Sequence, residues 1–171
     1  MRILILGGAR SGKSRYAERL AHDSGQEVVY IATGWAGDEE MSKRIAHHQQ
    51  QRPSEWLTVE ERFALGSALQ THAAHNRCLI VDCLTLWLSN CLEEGEDLFQ
   101  RERKALQEIL PILPGTICMV SNEVGQGIVP INPLARRFVD EAGWLHQDLT
   151  TCCDQVVWII AGLPLLVKNI L

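Results

Sequence analysis

The feature that most constrains this chain is a glycine-rich octet that follows directly on a short apolar run near the amino terminus. Residues 7–14 read Gly-Gly-Ala-Arg-Ser-Gly-Lys-Ser, which fits the pattern G-x-x-x-x-G-K-S, and residues 3–6 read Ile-Leu-Ile-Leu. A glycine-rich turn can match such a pattern by chance. Here a strand-like run precedes it and an amphipathic helical pattern follows it, and this context predicts a phosphate-binding loop.

Each residue type in the octet has a chemical reason to be there. Glycines let the backbone turn with its N–H groups directed inward, Lys13 can reach the β- and γ-phosphates, and the Ser14 hydroxyl can hold Mg²⁺. A nucleoside triphosphate is therefore the predicted ligand. The residues predicted to surround its phosphates are Gly7, Gly8, Ala9, Arg10, Ser11, Gly12, Lys13 and Ser14.

Length and composition predict one domain over residues 1–171, long enough to bury a proper core. The formal net charge is −5, with acidic and basic residues interspersed, so nucleic acid is not a predicted partner. The six cysteines form no C-x-x-C pair and no metal-ligand spacing with histidine. We interpret them as small buried residues in a reducing compartment.

No segment is predicted to cross a membrane. The longest apolar stretch, residues 156–167, contains Gly162 and Pro164 and is too short for a span. The first residues run straight into the octet, which leaves no room for a removable signal sequence. A soluble cytoplasmic protein is expected.

Strand-like and helical patterns alternate along the chain. Near-continuous apolar strands suit a parallel sheet covered on both faces, so we predict an α/β fold of the P-loop NTPase (RecA-like) type with a mostly parallel sheet. The predicted strands are residues 3–6, 27–32, 78–81, 116–120 and 155–160. The predicted helices are residues 14–23, 38–51, 62–75, 84–110 with a break near Gly95, and 133–150.

Two local signals refine this prediction. Asn132 followed by Pro133 is typical of a helix start, because Asn caps free amides and Pro loses no hydrogen bond at the first helical position. The late apolar segment can form two strands joined at Gly162. Pro164 then restricts the second of them to an edge or to a strand start.

Asp82 ends the apolar run 78–81 and is a candidate to support Mg²⁺ beside the phosphate loop. A carboxylate in this place can equally cap the helix predicted from residue 84. The sequence leaves both interpretations open.

His47 and His48 are adjacent on a polar helical pattern that stops at a proline. Their rings diverge by about 100°, so they cannot enter one pocket equally. Lys43, Arg44 and Arg52 lie about one turn away and could hold phosphate oxygens while a neutral imidazole attacks phosphorus. Exposed helical histidines are, however, usually solvated surface.

The glycine-containing segment 122–130 follows a predicted strand and so lies at the carboxyl edge of the sheet, where open α/β sheets bind ligands. Asn122 offers an amide and Glu123 an acceptor. An ordinary glycine-rich connection fits the same pattern.

Taken together, these residues resemble the bifunctional adenosylcobinamide kinase and adenosylcobinamide-phosphate guanylyltransferase family of cobalamin biosynthesis. The resemblance spans nearly the whole chain. Its four blocks are residues 7–15, residues 30–33, Glu40-Met41 with Arg44-Ile45 and His47-His48 up to Arg52-Pro53, and residues 122–125 with 127–130 and 134–136. The paired histidines and the E-V-G-x-G-I-V-P segment are the distinctive parts.

The resemblance implies that His47 is the catalytic residue and becomes covalently guanylylated. It implies phosphorylation of adenosylcobinamide by ATP or GTP, followed by transfer of GMP from His47 to adenosylcobinamide phosphate. It also implies Mg²⁺ and a homotrimer. Beyond the loop at 7–14, the implied GTP contacts are Thr33, Gly34, Trp35, His48, Gln49, Gln50, Gln51, Glu60 and Asp82.

Two other functions remain open from the residues alone. A plain small-molecule kinase would use the same loop without a histidine nucleophile. A nucleotide-dependent switch is disfavoured because the chain has no N-K-x-D motif and because no D-x-x-G motif directly follows the second strand, although an ATPase subunit stays possible. The sequence assigns no base for the kinase step.

Overall fold

Strands and helices alternate through most of the computed structural model, which describes residues 1–35 and 53–170. The strands are β1 (Arg2–Gly7), β2 (Glu27–Ala32), β3 (Leu57–Glu60), β4 (Arg77–Asp82), β5 (Thr116–Asn122), β6 (Gln155–Ile160) and β7 (Leu163–Asn169). The helices are α1 (Lys13–Asp23), α2 (Leu65–His72), α3 (Leu84–Glu94), α4 (Glu96–Ile109) and α5 (Pro133–Cys152), with a 3₁₀ turn at Leu110–Ile112.

The described strands form one sheet in the order β3-β2-β4-β5-β1-β6-β7. All neighbouring pairs are parallel except β6 and β7, which are antiparallel. Strand β5 therefore lies between β1 and β4, and Gly7 is level with Asn122 across the β1–β5 pair. This order brings the ends of β1, β5 and β4 together at one edge of the sheet.

Apolar side chains alternate between the two faces of the sheet because successive residues of a strand point in opposite directions. On one face Leu4 belongs to a core with Trp87 and Phe99 from α3 and α4, which α2 and α5 also join. On the other face Ile3 belongs to a core with Ala17 of α1. The predicted mostly parallel sheet with helices on both faces is confirmed.

Several local predictions are confirmed as well. Gly95 separates α3 from α4. The Asn132 side chain accepts hydrogen bonds from the amides of Leu134 and Ala135 at the start of α5. The late segment forms β6 and β7, and Pro164 lies in β7, which is an edge strand.

Two features differ from the sequence prediction. Strand β3 was not predicted, because its four residues are mostly exposed, so no buried apolar run marks it. Among the described strands it pairs only with β2. Helix α2 is shorter than the predicted 62–75, since the Glu61 carboxylate accepts from the amides of Phe63 and Ala64 and fixes them before the helix begins. The helix predicted over 38–51 falls outside the described residues.

All six cysteines are free thiols. Five are buried and Cys152 is partly buried, which confirms their interpretation as small interior residues. Among the helices of the described ranges, none combines the length and the hydropathy that crossing a bilayer requires.

Gly115 lies at the amino ends of the parallel strands, opposite the phosphate loop, and its close packing there can be tested by substitution. Its φ is +78°, and an added Cβ would overlap the carbonyl of Ala74 and lie 2.6 Å from the carbonyl oxygen of Arg77. We expect Gly115→Ala to lower the free energy of unfolding by about 3 kcal/mol, from backbone strain and overpacking together. Denaturant unfolding measures this loss.

The control is Gly25→Ala, at a φ of +64° with open space around the added Cβ. Backbone strain alone is expected to cost about 1 kcal/mol there. Equal losses in the two variants would show that the contacts around Gly115 do not matter.

Candidate nucleotide-binding site

The phosphate loop connects β1 to α1, as the octet predicts. The Ser11 amide donates to the Gly8 carbonyl at 3.3 Å, and the Tyr16 amide donates to the Gly12 carbonyl at 3.0 Å. Gly7 has a φ of +153°, and a Cβ on it would lie 2.5 Å from the carbonyl oxygen of Ile159. Only glycine therefore fits where the strand enters the loop.

Neighbouring segments of the sheet hold the loop from two sides. The Gly162 amide, in the turn between β6 and β7, donates to the Ser11 carbonyl at 2.8 Å. The Glu123 amide, just after β5, donates to the Gly7 carbonyl at 3.0 Å. These long-range bonds fix the loop backbone against the rest of the fold, so its amides are organised before a phosphate arrives.

Lys13 lies beneath the loop with 5% of its surface exposed. Its Nζ donates to the Gly8 carbonyl at 2.5 Å and lies 3.4 Å from the Ser11 hydroxyl. Burial lowers the pKa of Lys13, while the nearby ionisable groups of Cys83 and Asp82 partly oppose this shift. Asp82 therefore contributes to the electrostatic environment of Lys13.

Asp82 ends β4 and is held by a buried tyrosine. The Tyr30 hydroxyl donates to Asp82 Oδ2 at 2.5 Å. The N-cap residue of α3 is Cys83, and no side chain makes a capping hydrogen bond there. The capping interpretation of Asp82 is therefore wrong, and its carboxylate is oriented by Tyr30 at the edge of the sheet.

The residues after β2 lie beside Asp82. The Thr33 hydroxyl is fully buried and donates to the Cys83 carbonyl at 2.7 Å. Asn90 Nδ2 donates to the Thr33 carbonyl at 2.9 Å, so α3 also holds this segment. Thr33 thus fixes the backbone leading to Gly34, and its contact with a nucleotide stays a prediction.

Trp35 presents a half-exposed ring, 56% accessible, at the end of this segment. The guanidinium of Arg62 lies 4.2 Å from the centre of that ring, which is a cation–π contact. Arg62 was not predicted as a site residue, because no local sequence pattern links it to Trp35, which lies 27 positions earlier in the chain.

Glu60 lies farther from the phosphate loop. It ends β3, is exposed, and pairs with Ala32 of β2. The predicted site residues His47, His48 and residues 49–51 lie outside the described residues. Within the described ranges, the phosphate loop, Asp82 and residues 33–35 all lie at the carboxyl ends of the parallel strands. Glu60 lies at the same ends but on the outermost strand, β3.

The segment after β5 contains a buried histidine contact that the sequence analysis missed. Asn122 Nδ2 donates to the Thr85 hydroxyl at 3.0 Å. Glu123 Oε1 accepts from the Gly125 amide at 2.6 Å, and Glu123 Oε2 lies 3.9 Å from Nδ1 of buried His146. His146 stands on α5 without a local motif, so only the fold reveals its position.

Oxygen donors at this edge fit a magnesium ion. Among the described residues, no three or more His, Cys, Asp or Glu side chains gather into a metal site. Mg²⁺ is usually held by one or two protein oxygens together with substrate phosphates and water. The hydroxyl of Ser14 and the carboxylate of Asp82 have the right chemistry for such a partial set.

The family model described as cobinamide kinase / cobinamide phosphate guanyltransferase matches residues 3–167. A bifunctional adenosylcobalamin biosynthesis protein CobP from Pseudomonas aeruginosa is 56% identical over 99% of this chain and 98% of its own length. A bifunctional adenosylcobalamin biosynthesis protein CobU from Escherichia coli strain K12 is 37% identical over 98% of this chain and 100% of its own.

Solved structures support the fold. The crystal structure of the RadB recombinase superposes with a TM-score of 0.53 at 16% identity, covering 92% of this chain and 73% of that one. At this identity the likeness concerns the fold alone. It confirms the predicted RecA-like arrangement.

Proposed function

Because the chain belongs to the cobinamide kinase / cobinamide phosphate guanyltransferase family, we propose that it catalyses two successive reactions. It phosphorylates adenosylcobinamide with ATP or GTP, and it then transfers GMP from GTP to adenosylcobinamide phosphate, giving adenosylcobinamide-GDP. One domain, residues 1–171, carries both. The observation that supports this most is the preformed phosphate loop with buried Lys13 beside Asp82.

In the kinase step, the hydroxyl of the aminopropanol arm attacks the γ-phosphorus and a nucleoside diphosphate leaves. Phosphoryl transfer depends mainly on positioning and on neutralising charge. Lys13 needs only to exchange its bond to the Gly8 carbonyl for one to a phosphate oxygen. The loop amides and Arg10, which is exposed at the loop, supply further positive potential.

In the guanylyl step, neutral His47 attacks the α-phosphorus of GTP and pyrophosphate leaves, so GMP is held through a nitrogen–phosphorus bond. Imidazole serves because it is largely neutral at pH 7. Adenosylcobinamide phosphate then attacks the same phosphorus and releases His47. This role rests on the family resemblance of the segment 40–53, not on geometry.

We assign the nucleotide contacts outside the loop to the residues that the family resemblance implies, and of these only Thr33, Gly34, Trp35, Glu60 and Asp82 belong to the described part of the chain. The structural support for these contacts differs. Asp82 interacts electrostatically with Lys13, and Thr33 lies beside Asp82, since its amide donates to the Asp82 carbonyl at 3.2 Å. Glu60 ends β3, at the far side of the sheet. Mg²⁺, held by Ser14 and Asp82, would neutralise charge on the phosphates. The proposed contacts are Thr33, Gly34, Trp35, His48, Gln49, Gln50, Gln51, Glu60 and Asp82.

The direct test is a product assay. The purified chain is incubated with adenosylcobinamide, Mg²⁺ and either ATP or GTP, and the corrinoids are separated by chromatography and weighed by mass spectrometry. ATP alone should give adenosylcobinamide phosphate, and GTP should carry it on to adenosylcobinamide-GDP. If adenosylcobinamide phosphate accumulates in the presence of GTP and no adenosylcobinamide-GDP forms, the chain is a plain small-molecule kinase.

We also propose that the enzyme is a cytoplasmic homotrimer. Its nucleotide substrates and six free thiols support the compartment. Exposed apolar side chains on the last two strands and just after them support an assembly surface, since large apolar patches mark contacts. They are Ile160, Leu163, Leu165, Leu166, Val167 and Ile170. Sedimentation equilibrium would show three chains per particle, and a monomer would refute the trimer.

A further inference from the structure

The kinase step needs a group that takes the proton from the attacking hydroxyl, and the sheet order limits where this group can lie. Strand β5 stands between β1, which carries the phosphate loop, and β4, which carries Asp82. The first residue after β5 is Glu123, and its amide donates to the carbonyl of Gly7 at 3.0 Å. Glu123 thus borders the phosphate loop on the side that faces Asp82.

The other carboxylates at this edge in the described ranges either have other partners or lie far from the phosphate loop. The Glu61 carboxylate accepts from two backbone amides at the start of α2. Glu60 ends β3, which is four strand positions from β1, on the order of 19 Å at the usual strand spacing. Asp82 is held by Tyr30 and is our proposed ligand of the metal.

The Glu123 carboxylate is itself held in place. Its side chain is 21% exposed, so it is largely enclosed and still reachable. One oxygen, Oε1, accepts from the amide of Gly125 at 2.6 Å. The other, Oε2, lies 3.9 Å from Nδ1 of His146, which is close for electrostatic interaction and longer than a hydrogen bond.

His146 is fixed from its other side. Its Nε2 forms a 2.7 Å hydrogen bond with the hydroxyl of Ser121, which is fully buried at the end of β5. Burial lowers the pKa of His146, while Glu123 opposes the shift. Ser121, His146 and Glu123 thus form a row that runs from the core to the border of the phosphate loop.

We propose that Glu123 is the general base of the kinase step and that His146 positions its carboxylate. This rests on the proposed kinase function. The hydroxyl oxygen of the corrinoid's aminopropanol arm forms a bond to the γ-phosphorus, and its proton moves to the Glu123 carboxylate. The bond from the γ-phosphorus to the β–γ bridging oxygen breaks, and its electron pair leaves with the nucleoside diphosphate.

The test is Glu123→Gln, which keeps an acceptor for the Gly125 amide and removes the base. A positioned general base contributes about 10²–10⁴-fold to the rate. We expect the kinase kcat with adenosylcobinamide and ATP to fall about 10²–10³-fold, while the KM for ATP stays within about threefold. Glu108→Gln is the matched control, because this side chain is 67% exposed on α4, away from the loop.

His146→Asn tests the positioning role through a double-mutant cycle. In the wild-type background it should lower the kinase kcat by about tenfold, and in the Glu123→Gln background it should have no further effect, because both changes act through one carboxylate. A purely structural role of His146 would produce the same loss in both backgrounds, which would overturn the positioning role.

The outcomes separate this inference from the function on which it rests. If the wild-type enzyme forms no adenosylcobinamide phosphate, the proposed function itself fails. If the wild-type enzyme forms it and Glu123→Gln forms it with a kcat within about threefold, Glu123 is not the base. A large loss of kcat with unchanged KM, unfolding midpoint and nucleotide binding supports the assignment.

Discussion

Replacing His47 by alanine is expected to abolish guanylyl transfer and to leave the kinase step within about threefold of the wild-type rate. The imidazole is the proposed nucleophile toward the α-phosphorus, and removing a catalytic nucleophile typically costs several orders of magnitude. The γ-phosphoryl transfer uses the loop at residues 7–14 and needs no covalent histidine. Supplying adenosylcobinamide phosphate with GTP measures guanylyl transfer, and supplying adenosylcobinamide with ATP measures the kinase step.

His48→Ala is the matched control, because it removes an imidazole from the next position of the same segment. It is expected to keep guanylyl transfer at a measurable rate, reduced only through its proposed contact with the nucleotide. Loss of transfer in His48→Ala with retention in His47→Ala would assign the nucleophile to the other ring. Retention in both variants would remove the histidine from the mechanism.

Lys13→Met is expected to lower both activities by about 10²–10³-fold, since preformed positive groups that stabilise transferring phosphates have effects of this size. Lys13 is buried, and its ammonium makes its short contact with the loop backbone at Gly8. Methionine keeps most of the volume and removes a buried charge whose desolvation is unfavourable. The free energy of unfolding should therefore change by no more than about 1 kcal/mol.

This separation of activity from stability is the informative result. Lys104→Met serves as the control, because the Lys104 side chain is 74% exposed on α4 and pairs only with Glu108 in the described part of the chain. It should change neither property. If Lys13→Met lost activity together with several kcal/mol of stability, the lysine would be needed for the fold, and its phosphate role would lose this support.

The sequence predicts most of the strands and helices, because the buried strands are apolar runs and the first helix has an amphipathic pattern. Asn132 and Gly95 mark element boundaries for local reasons of capping and backbone freedom. Strand β3 leaves no such signal, since it is held by backbone pairing with β2. Its position at one side of the sheet depends on pairing with a strand that is distant in sequence, so local sequence does not predict it.

For the candidate site, motif residues are visible in the sequence and their supporting contacts are not. Lys13 is predicted from the glycine-rich octet, and Asp82 is predicted from its place at the end of an apolar strand. Tyr30, which orients Asp82, and His146, which lies behind Glu123, come from other elements, and no local pattern marks them as partners of these carboxylates. Such partners become apparent only once the sheet order is known, because they are 52 and 23 positions from the residues they support.

The most direct measurement uses the wild-type chain with Mg²⁺ and GTP that carries its label either at the α- or at the γ-phosphorus. A nitrogen–phosphorus bond to histidine should bring the α-label onto the protein as an acid-labile, alkali-stable adduct at His47, located by peptide mass spectrometry, while the γ-label stays in solution. If the protein acquires no α-label under conditions in which it phosphorylates adenosylcobinamide, the covalent guanylyl mechanism is wrong.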